Sequence, residues 1–503
     1  MRETADISAG PRQAVIDIGS NTVRLVIYGG APRAPVVVWN EKVTARLGSD
    51  LSATRTLSAD AMDIALAGLR RYRILLNQLG VRDITVLATA AVREAENGPD
   101  FVTAAEAIGF AVDVVSGERE AALAAAGVRG AFPGATGLAA DLGGGSIELV
   151  PLSGGNAGPG ASLPLGTLRL AAMADQGRDA VRAKVDKKLG KAGLDVPKGG
   201  TLYLVGGTFR AFATWVLAQQ DCPIDDPHGL SLDAASARKY ARKLEKADPD
   251  KLAQVPNVSS MRAAKLPDAA LLLNQLIQRY EPAELVVSAW GLREGLLFER
   301  LDPLMQSQDP LLTGVTTYAS PRGGSASLAV RIAAWTAAAR SAEWHGDERL
   351  RIAATQLALA SMSVDPNLRL AQSLNLALHK RWIGLDFAGR AMIAATLAAN
   401  CGAPVPSEVE GLASPAALAE AAAWGMAMRL FRRLGGNALA ALDTTVLHND
   451  GQQLILAIAE ECAALCNEGV ERDLGKLAAA LTLEPVIRFL PQKELRDFAS
   501  GET

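Results

Sequence analysis

The stretch Val15-Ile-Asp-Ile-Gly-Ser-Asn-Thr-Val-Arg-Leu-Val-Ile27 returns later in the chain as Ala139-Ala-Asp-Leu-Gly-Gly-Gly-Ser-Ile-Glu-Leu-Val150. In register, Asp17 falls on Asp141, Gly19 on Gly143, Thr22 on Ser146 and Leu25 on Leu149. Each copy reads as an apolar strand, an aspartate, a tight Gly/Ser/Asn turn and a second apolar strand. That order predicts a β-hairpin whose turn exposes backbone N–H groups and carries a carboxylate at its base. Amides in such a turn bind phosphate oxygens, and an adjacent aspartate can hold Mg²⁺ directly or through water. One Gly-rich turn is ordinarily just a turn. Two in matching register predict a duplicated α/β architecture with a phosphate-plus-metal cleft between the copies.

The flanking segments agree. Val36-Val-Val-Trp39, Ile84-Thr-Val-Leu87 and Val112-Asp-Val-Val115 read as strands; residues 58–79 have a helical apolar rhythm with Ser58 as N-cap, and residues 118–128 form a second helix. Phe132-Pro-Gly134 punctuates the end of the first half. The second half adds Leu163-Pro-Leu-Gly166, a strand over 201–205 running into a third glycine turn, a strand over 284–288 and a helix over 291–301. At 503 residues the chain is long enough for about three domains, here residues 1–134, 135–310 and 311–503. Past about residue 310, alanine and leucine at helical spacing predict an all-helical domain, rich in arginine in its first two-thirds and acidic in its last third. Those charges fit solvated helix faces, or a basic wall on the route to a phosphate site.

Phosphoryl chemistry needs donors, a cation and a group that positions or deprotonates the nucleophile. The first hairpin supplies Ser20 and Asn21, the second Gly144, Gly145 and Ser146, and the third turn Gly207 and Thr208. Asp141 and Glu148 flank the second turn, and strand alternation lets both reach one metal. Capping of the turn itself is the alternative for Asp17 and Asp141. Ser116-Gly-Glu-Arg-Glu-Ala121 opens a helix with Glu118 and Glu120 in its first turn, where the helix N-terminus stabilises a carboxylate without any catalytic role. Arg93, after a strand, fits a surface ion pair or a phosphate clamp.

With Asp17-Ile-Gly-Ser-Asn21, Ala88-Thr-Ala-Ala-Val-Arg93, Ser116-Gly-Glu-Arg-Glu-Ala121, Asp141-Leu-Gly-Gly-Gly-Ser-Ile-Glu148, Leu163-Pro-Leu-Gly166, Gly206-Gly-Thr208 and Gly291-Leu-Arg-Glu-Gly295 in this order, the chain resembles the exopolyphosphatase / guanosine pentaphosphate phosphohydrolase family. That family lies in the acetate kinase–sugar kinase–Hsp70–actin superfamily. The resemblance implies two ribonuclease H-like (actin-like ATPase) domains and a C-terminal domain similar to HD phosphohydrolases. It implies that Glu120 activates water to release orthophosphate processively from inorganic polyphosphate. Mg²⁺ would sit near Asp141 and Glu148, with Ser20, Asn21, Arg93, Gly144, Gly145, Ser146, Gly207 and Thr208 on substrate. Guanosine pentaphosphate is the alternative substrate, with Arg24 and Arg293 as participants. An ATP-dependent kinase or a non-enzymatic phosphate sensor is a reading from another class; no acceptor-substrate signature supports the kinase. HD-type metal sites need a His-Asp pair, and His228, His345, His379 and His448 include none. The third domain is therefore expected to be a degenerate HD-like unit serving polymer binding or dimerisation, which makes a homodimer the expected assembly.

Composition narrows the setting. A formal net charge of −3 argues against a general nucleic-acid binder. Cys222, Cys401, Cys462 and Cys466 lack zinc-ligand or secreted-scaffold spacing. The N-terminus is polar and charged, and the uncharged stretch 391–407 contains Asn400, Pro404 and Pro406, so neither a signal peptide nor a membrane span is expected. The expected location is cytoplasmic.

Overall fold

The computed structural model describes residues 12–173, 176–340 and 346–500. It divides into two compact units, Met1–Pro310 and Leu311–Thr503.

The first unit is built on two sheets. β1 (Gln13–Ile18), β2 (Val23–Gly29), β3 (Val36–Val43), β4 (Asp83–Ala88) and β5 (Val112–Val114) form one sheet in the order β3-β2-β1-β4-β5. The other contains β6 (Gly137–Leu142), β7 (Ile147–Ser153), β8 (Asn156–Ala157), β9 (Ala161–Leu163), β10 (Thr201–Val205), β11 (Ser231–Asp233) and β12 (Glu284–Val287). Its order is β11-β12-β10-β6-β7-β8, with β9 also paired to β7. Each sheet begins with an antiparallel hairpin, β1–β2 or β6–β7, and continues through parallel strands reached by helical crossovers. The repeat in the sequence is thus a repeat of topology. Both turns close with the same bond, from Gly19 N–H to the Thr22 carbonyl and from Gly143 N–H to the Ser146 carbonyl, each 3.0 Å.

Strand alternation sends β1 to two cores. Ile16 and Ile18 join Leu69, Tyr72 and Phe101 on one face. Val15 joins Leu87, Leu123 and Leu296 on the other, where the helices Gly117–Ala131 and Leu292–Glu299 pack. Asp17 shares Val15's face by the two-residue period. Ser58 caps helix Ala59–Gln78, accepting from Ala61 N–H, and Ser116 caps Gly117–Ala131, accepting from Arg119 N–H.

The second unit is mainly helical, but an all-helical reading is corrected by a three-stranded sheet. β13 (Thr445–Asn449), β14 (Gln453–Ala459) and β15 (Glu484–Leu490) are ordered β13-β14-β15. Leu454, Leu456 and Ile458 of β14 are wholly buried against helices Pro415–Gly435 and Glu468–Ala480, a run of apolar residues that periodicity alone does not separate from a buried helix. Several arginines of this unit are structural rather than solvated. Arg390 is fully buried and donates to the Leu378 carbonyl; Arg351 bonds Glu348 and Thr336; Arg432 bonds Asn400; Arg433 bonds Asp473 at 2.6 Å. His345 lies outside the described residues. Among those described, no cluster of three or more His, Cys, Asp or Glu side chains is placed to hold a metal ion, and no helix is long and apolar enough to cross a membrane.

Candidate active site

The two glycine turns and the third, after β10, line one cavity of about 240 Å³ in the first unit. Ser20, Asn21, Glu120, Asp141, Gly144, Gly145, Ser146, Glu148, Gly207 and Thr208 all contribute to it. The turn at Gly144 and Gly145 is held from behind. N–H groups of Gly166, Thr167 and Leu168 donate to the carbonyls of Gly145, Gly143 and Gly144. Gly144 and Gly145 themselves line the cavity. Gly166 is needed for this approach, since a Cβ there would lie 2.4 Å from the Gly144 carbonyl.

Cross-strand register shows how the two copies diverged. In the first sheet, Asp17 faces Arg24 and Arg24 faces Lys42 across adjacent strands. In the second, Asp141 faces Glu148 and Glu148 faces Ser162. The corresponding rows are therefore basic on one wall and acidic on the other. Like charges directly opposed across a strand pair are destabilising, and this pair is deep: Glu148 is 2 % exposed. Burial raises the Asp141 pKa to about 6, against the pull of Arg210. Glu148 stands well above the usual carboxylate range, through burial and then the neighbouring Glu120 and Asp141. Its Oε1 accepts from Ser162 Oγ at 2.8 Å. Two buried, mutually repelling carboxylates beside open amides suit a hard divalent cation, which takes few protein oxygens and completes its shell with water and phosphate. The residues present fit Mg²⁺.

Glu120 and Glu118 part company in the structure. Glu118 is exposed, whereas Glu120 is buried at the cavity wall. Desolvation raises the Glu120 pKa to about 7; Arg93 opposes this, while Asp141 and Asp17 add to it. Arg93 differs from the other expected site residues. Its Nη1 donates to the Val115 carbonyl at 2.7 Å and to Glu120 Oε2 at 3.1 Å, and it does not line the cavity. Its guanidinium is thus engaged with the Glu120 carboxylate and the Val115 carbonyl.

Asp17 is engaged from the other side. Arg293 Nε lies 3.9 Å from its Oδ2; burial raises the Asp17 pKa, with Arg293 and Arg24 drawing it down. The next residue, Glu294, accepts from Tyr28 O–H at 2.6 Å and from Gly291 N–H at 3.1 Å. Burial would raise the Glu294 pKa, but Arg293 and these donors hold it below the ordinary value.

Arg262, Lys265, Lys42 and Arg210 also line the cavity and were not singled out from the sequence. Arg262 sits on the short helix Ser260–Ala263, with no local motif to mark it. For Lys42, alternation on β3 opposite Arg24 was the available signal. Burial, then Arg24 and Arg262, depress the Lys42 pKa.

Two sheets of one topology facing a shared cleft of amides and carboxylates define an actin-like ATPase fold. The chain belongs to the Ppx/GppA phosphatase family, whose model matches residues 26–304. Exopolyphosphatase 1 of Mycobacterium tuberculosis is 27% identical over 309 residues, covering 58% of this chain and 88% of that protein. Exopolyphosphatase 1 of Mycobacterium leprae is 26% identical over 306 residues, covering 58% and 90%. The fold is shared with the crystal structure of the Aquifex aeolicus Ppx/GppA family member (TM-score 0.51, 24% identity, 59% of this chain and 99% of that one). It is shared also with an exopolyphosphatase from Cytophaga hutchinsonii (TM-score 0.52, 23% identity, 59% and 99%).

Proposed function

We propose that this chain is an exopolyphosphatase, releasing orthophosphate processively from the ends of inorganic polyphosphate. The observation that carries the reading is Glu120, a buried carboxylate with a pKa of about 7, set in one cavity with an acidic row and a basic row. A base poised near working pH is the one best suited to take a proton from water as the water attacks phosphorus. The relatives named exopolyphosphatase 1 support the same substrate class.

In this reading Gly144, Gly145, Ser146, Gly207 and Thr208 hold oxygens of the terminal phosphate, with Ser20 and Asn21 across from them. Arg24, Lys42 and Arg262 take the next phosphates along the chain. Glu120 accepts the water's proton at a carboxylate oxygen, and Arg93 fixes the orientation of that carboxylate. Asp141 and Glu148 would hold Mg²⁺, which when bound neutralises charge on the transferring phosphoryl group and leaving oxygen. The C-terminal unit serves polymer binding or dimerisation, and light scattering on the full chain tests the homodimer. Phosphate release measured in parallel from long-chain polyphosphate, guanosine pentaphosphate and ATP, with and without Mg²⁺, tests the activity. Faster turnover of guanosine pentaphosphate or ATP would reject it.

Arg93→Met removes an interaction that lowers the Glu120 pKa. The acid limb of kcat/KM is therefore expected to move to higher pH, with a larger deficit at pH 6 than at pH 8. An unshifted limb with lower activity at every pH would return Arg93 to a substrate-clamping role.

The acidic row predicts a metal-linked stability. Asp141 and Glu120 have folded-state pKa values of about 6 and about 7, above the ~4 of an unfolded chain. Their contribution is thus fully present below pH ~4 and is lost as pH rises through the folded values. Mg²⁺ should restore what ionisation removes, so its increment in Tm should be larger at pH 8 than at pH 5.5. Binding at 100 times Kd stabilises by ~2.7 kcal/mol. Glu148→Gln, which removes one of the two proposed ligands, should shrink the increment at pH 8, and an equal increment at both pH values in the parent would remove Asp141 and Glu148 from metal binding.

A further inference from the structure

Processive hydrolysis raises the question of how the product leaves. With the terminal phosphate at Gly144, Gly145 and Ser146, the rest of the polymer runs out past Arg24, Lys42 and Arg262. Orthophosphate cut from the inner end then lies behind the chain that is to be cut next. A polymer that stays bound closes the way by which that phosphate entered.

The wall behind Gly145 is thin. Ser20, Ala90 and Gly145 line both the cleft and a second space of about 10 Å³, room for about one water. Leu51 and Arg169 line both that space and an open basin of about 670 Å³ in the same unit. The three compartments are therefore consecutive, each sharing side chains with the next. Small residues make the inner wall because nothing larger fits. A Cβ on Gly145 would lie 2.9 Å from Ser20 Oγ and 3.1 Å from Ala90 Cβ, and one on Gly48 2.9 Å from Ser20 Cβ. Among the described residues, Arg55, Arg169 and Lys188 line the basin together with one carboxylate, Glu94. Glu94 pairs with Arg169, and Arg55 pairs with Glu96 at 2.9 Å. Lys188 Nζ donates to a neutral partner, the Pro164 carbonyl, at 3.1 Å. The short helix Ala90–Glu94 thus carries part of the wall, the partner of Glu120 and the partner of Arg169.

We infer that product orthophosphate leaves the cleft through this wall, past Ala90 and Gly145, into the basin, where Arg169 and Lys188 receive it. The inference rests on the processive reading of the proposed function. As it stands the narrow space admits water but not orthophosphate, so passage requires it to widen. Its movable parts are side chains: Leu51, Leu168 and Arg169. The Arg169–Glu94 pair is partly exposed, 23% and 38% for the two side chains, and such a pair costs little to open. Because Arg169 borders both the narrow space and the basin, its guanidinium can keep hold of phosphate oxygens from one to the other.

The test compares cut with released product while the full chain, with Mg²⁺, turns over long-chain polyphosphate. Rapid acid quench reads every phosphate cut, and a fluorescent phosphate-binding reporter reads only those set free. Leu51→Trp fills the junction of the narrow space and the basin without altering the cleft lining. It should lower steady-state release from long chains about tenfold or more, as product release becomes the slow step. The first phosphate should still be cut at the parent's rate, so the reporter trace lags the quench trace. On tripolyphosphate, whose short remnant can leave and reopen the mouth, the variant should match the parent, which also shows that it is folded. Lys188→Glu reverses one charge in the basin alone and should produce a lag of the same kind, whereas Leu51→Ala should produce none. The inference is overturned if quench and reporter traces on long chains match the parent's in both Leu51→Trp and Lys188→Glu. It is overturned equally if Leu51→Trp, folded by circular dichroism, loses as much turnover on tripolyphosphate as on long chains. A parent that cuts no phosphate from long chains rejects the proposed activity and this inference with it; an active parent with unaltered variants rejects the inference alone.

Discussion

Glu120→Gln is expected to lower kcat on polyphosphate by ~10²–10⁴-fold, the usual effect of losing a general base, with little change in substrate affinity or melting temperature. The amide matches the carboxylate in shape but cannot accept the water's proton. It also keeps an oxygen for the hydrogen bond from Arg93, which is 3.1 Å from Glu120 Oε2 in the native chain. Glu118→Gln is the control. It lies in the same first turn of helix Gly117–Ala131, under the same helix-terminal field, but its side chain is exposed and lines no part of the cleft. A loss within about twofold is expected there, as for surface changes generally. Steady-state phosphate release with long-chain polyphosphate reads both, and equal losses in the two variants would remove Glu120 from the reaction.

Gly295→Ala should damage the protein from a position outside the cleft lining. A Cβ at Gly295 would lie 1.8 Å from the Leu123 carbonyl oxygen and 2.7 Å from Gly127 N. Gly127, in turn, has room for no Cβ beside the Gly291 carbonyl at 2.3 Å. Helices Gly117–Ala131 and Leu292–Glu299 thus touch backbone to backbone, and only glycine permits the approach. The first carries Glu120 and the second carries Arg293 and Glu294, so forcing them apart separates Glu120 from the Asp17–Arg293 side of the cleft. Overpacking costs ~1–3 kcal/mol and sometimes more, a fall in Tm of roughly 2–5 °C for a unit of this size. Misplacement of catalytic groups by ~1 Å costs up to ~10²-fold in rate. Gly475→Ala, in helix Glu468–Ala480 with nothing within 4 Å of a Cβ, should be neutral or slightly stabilising. Thermal melts and turnover that leave Gly295→Ala equal to the parent would show that the two helices need no such contact.

What the sequence by itself determined is local. Period-two strands, the Asp-to-glycine turn repeated in register, and the caps at Ser58 and Ser116 are each encoded within a few residues. Local order therefore sufficed to predict the paired hairpins, the third glycine turn and the position of Glu120 at a helix start. The resemblance in motif order then separated Glu120 from Glu118, a distinction that spacing alone left open; the structure buries Glu120 at the cavity wall and leaves Glu118 exposed. The tertiary structure decided the charge partners. Arg93 is paired with Glu120 because Val115 and Glu120 are brought to it by the packing of β5 and its following helix. Arg262 and Lys265 reach the cleft from a segment with no motif of its own. Tyr28 meets Glu294 across 266 positions of chain. In the second unit, arginines that read as a solvated or polymer-facing surface proved to be bound to carbonyls and acids, and a buried apolar run read as helix became β14. Backbone geometry is set by neighbours in sequence, so it is legible there. The partner of a long, flexible charged side chain is set by which distant segments fold against it, and no local pattern carries that information.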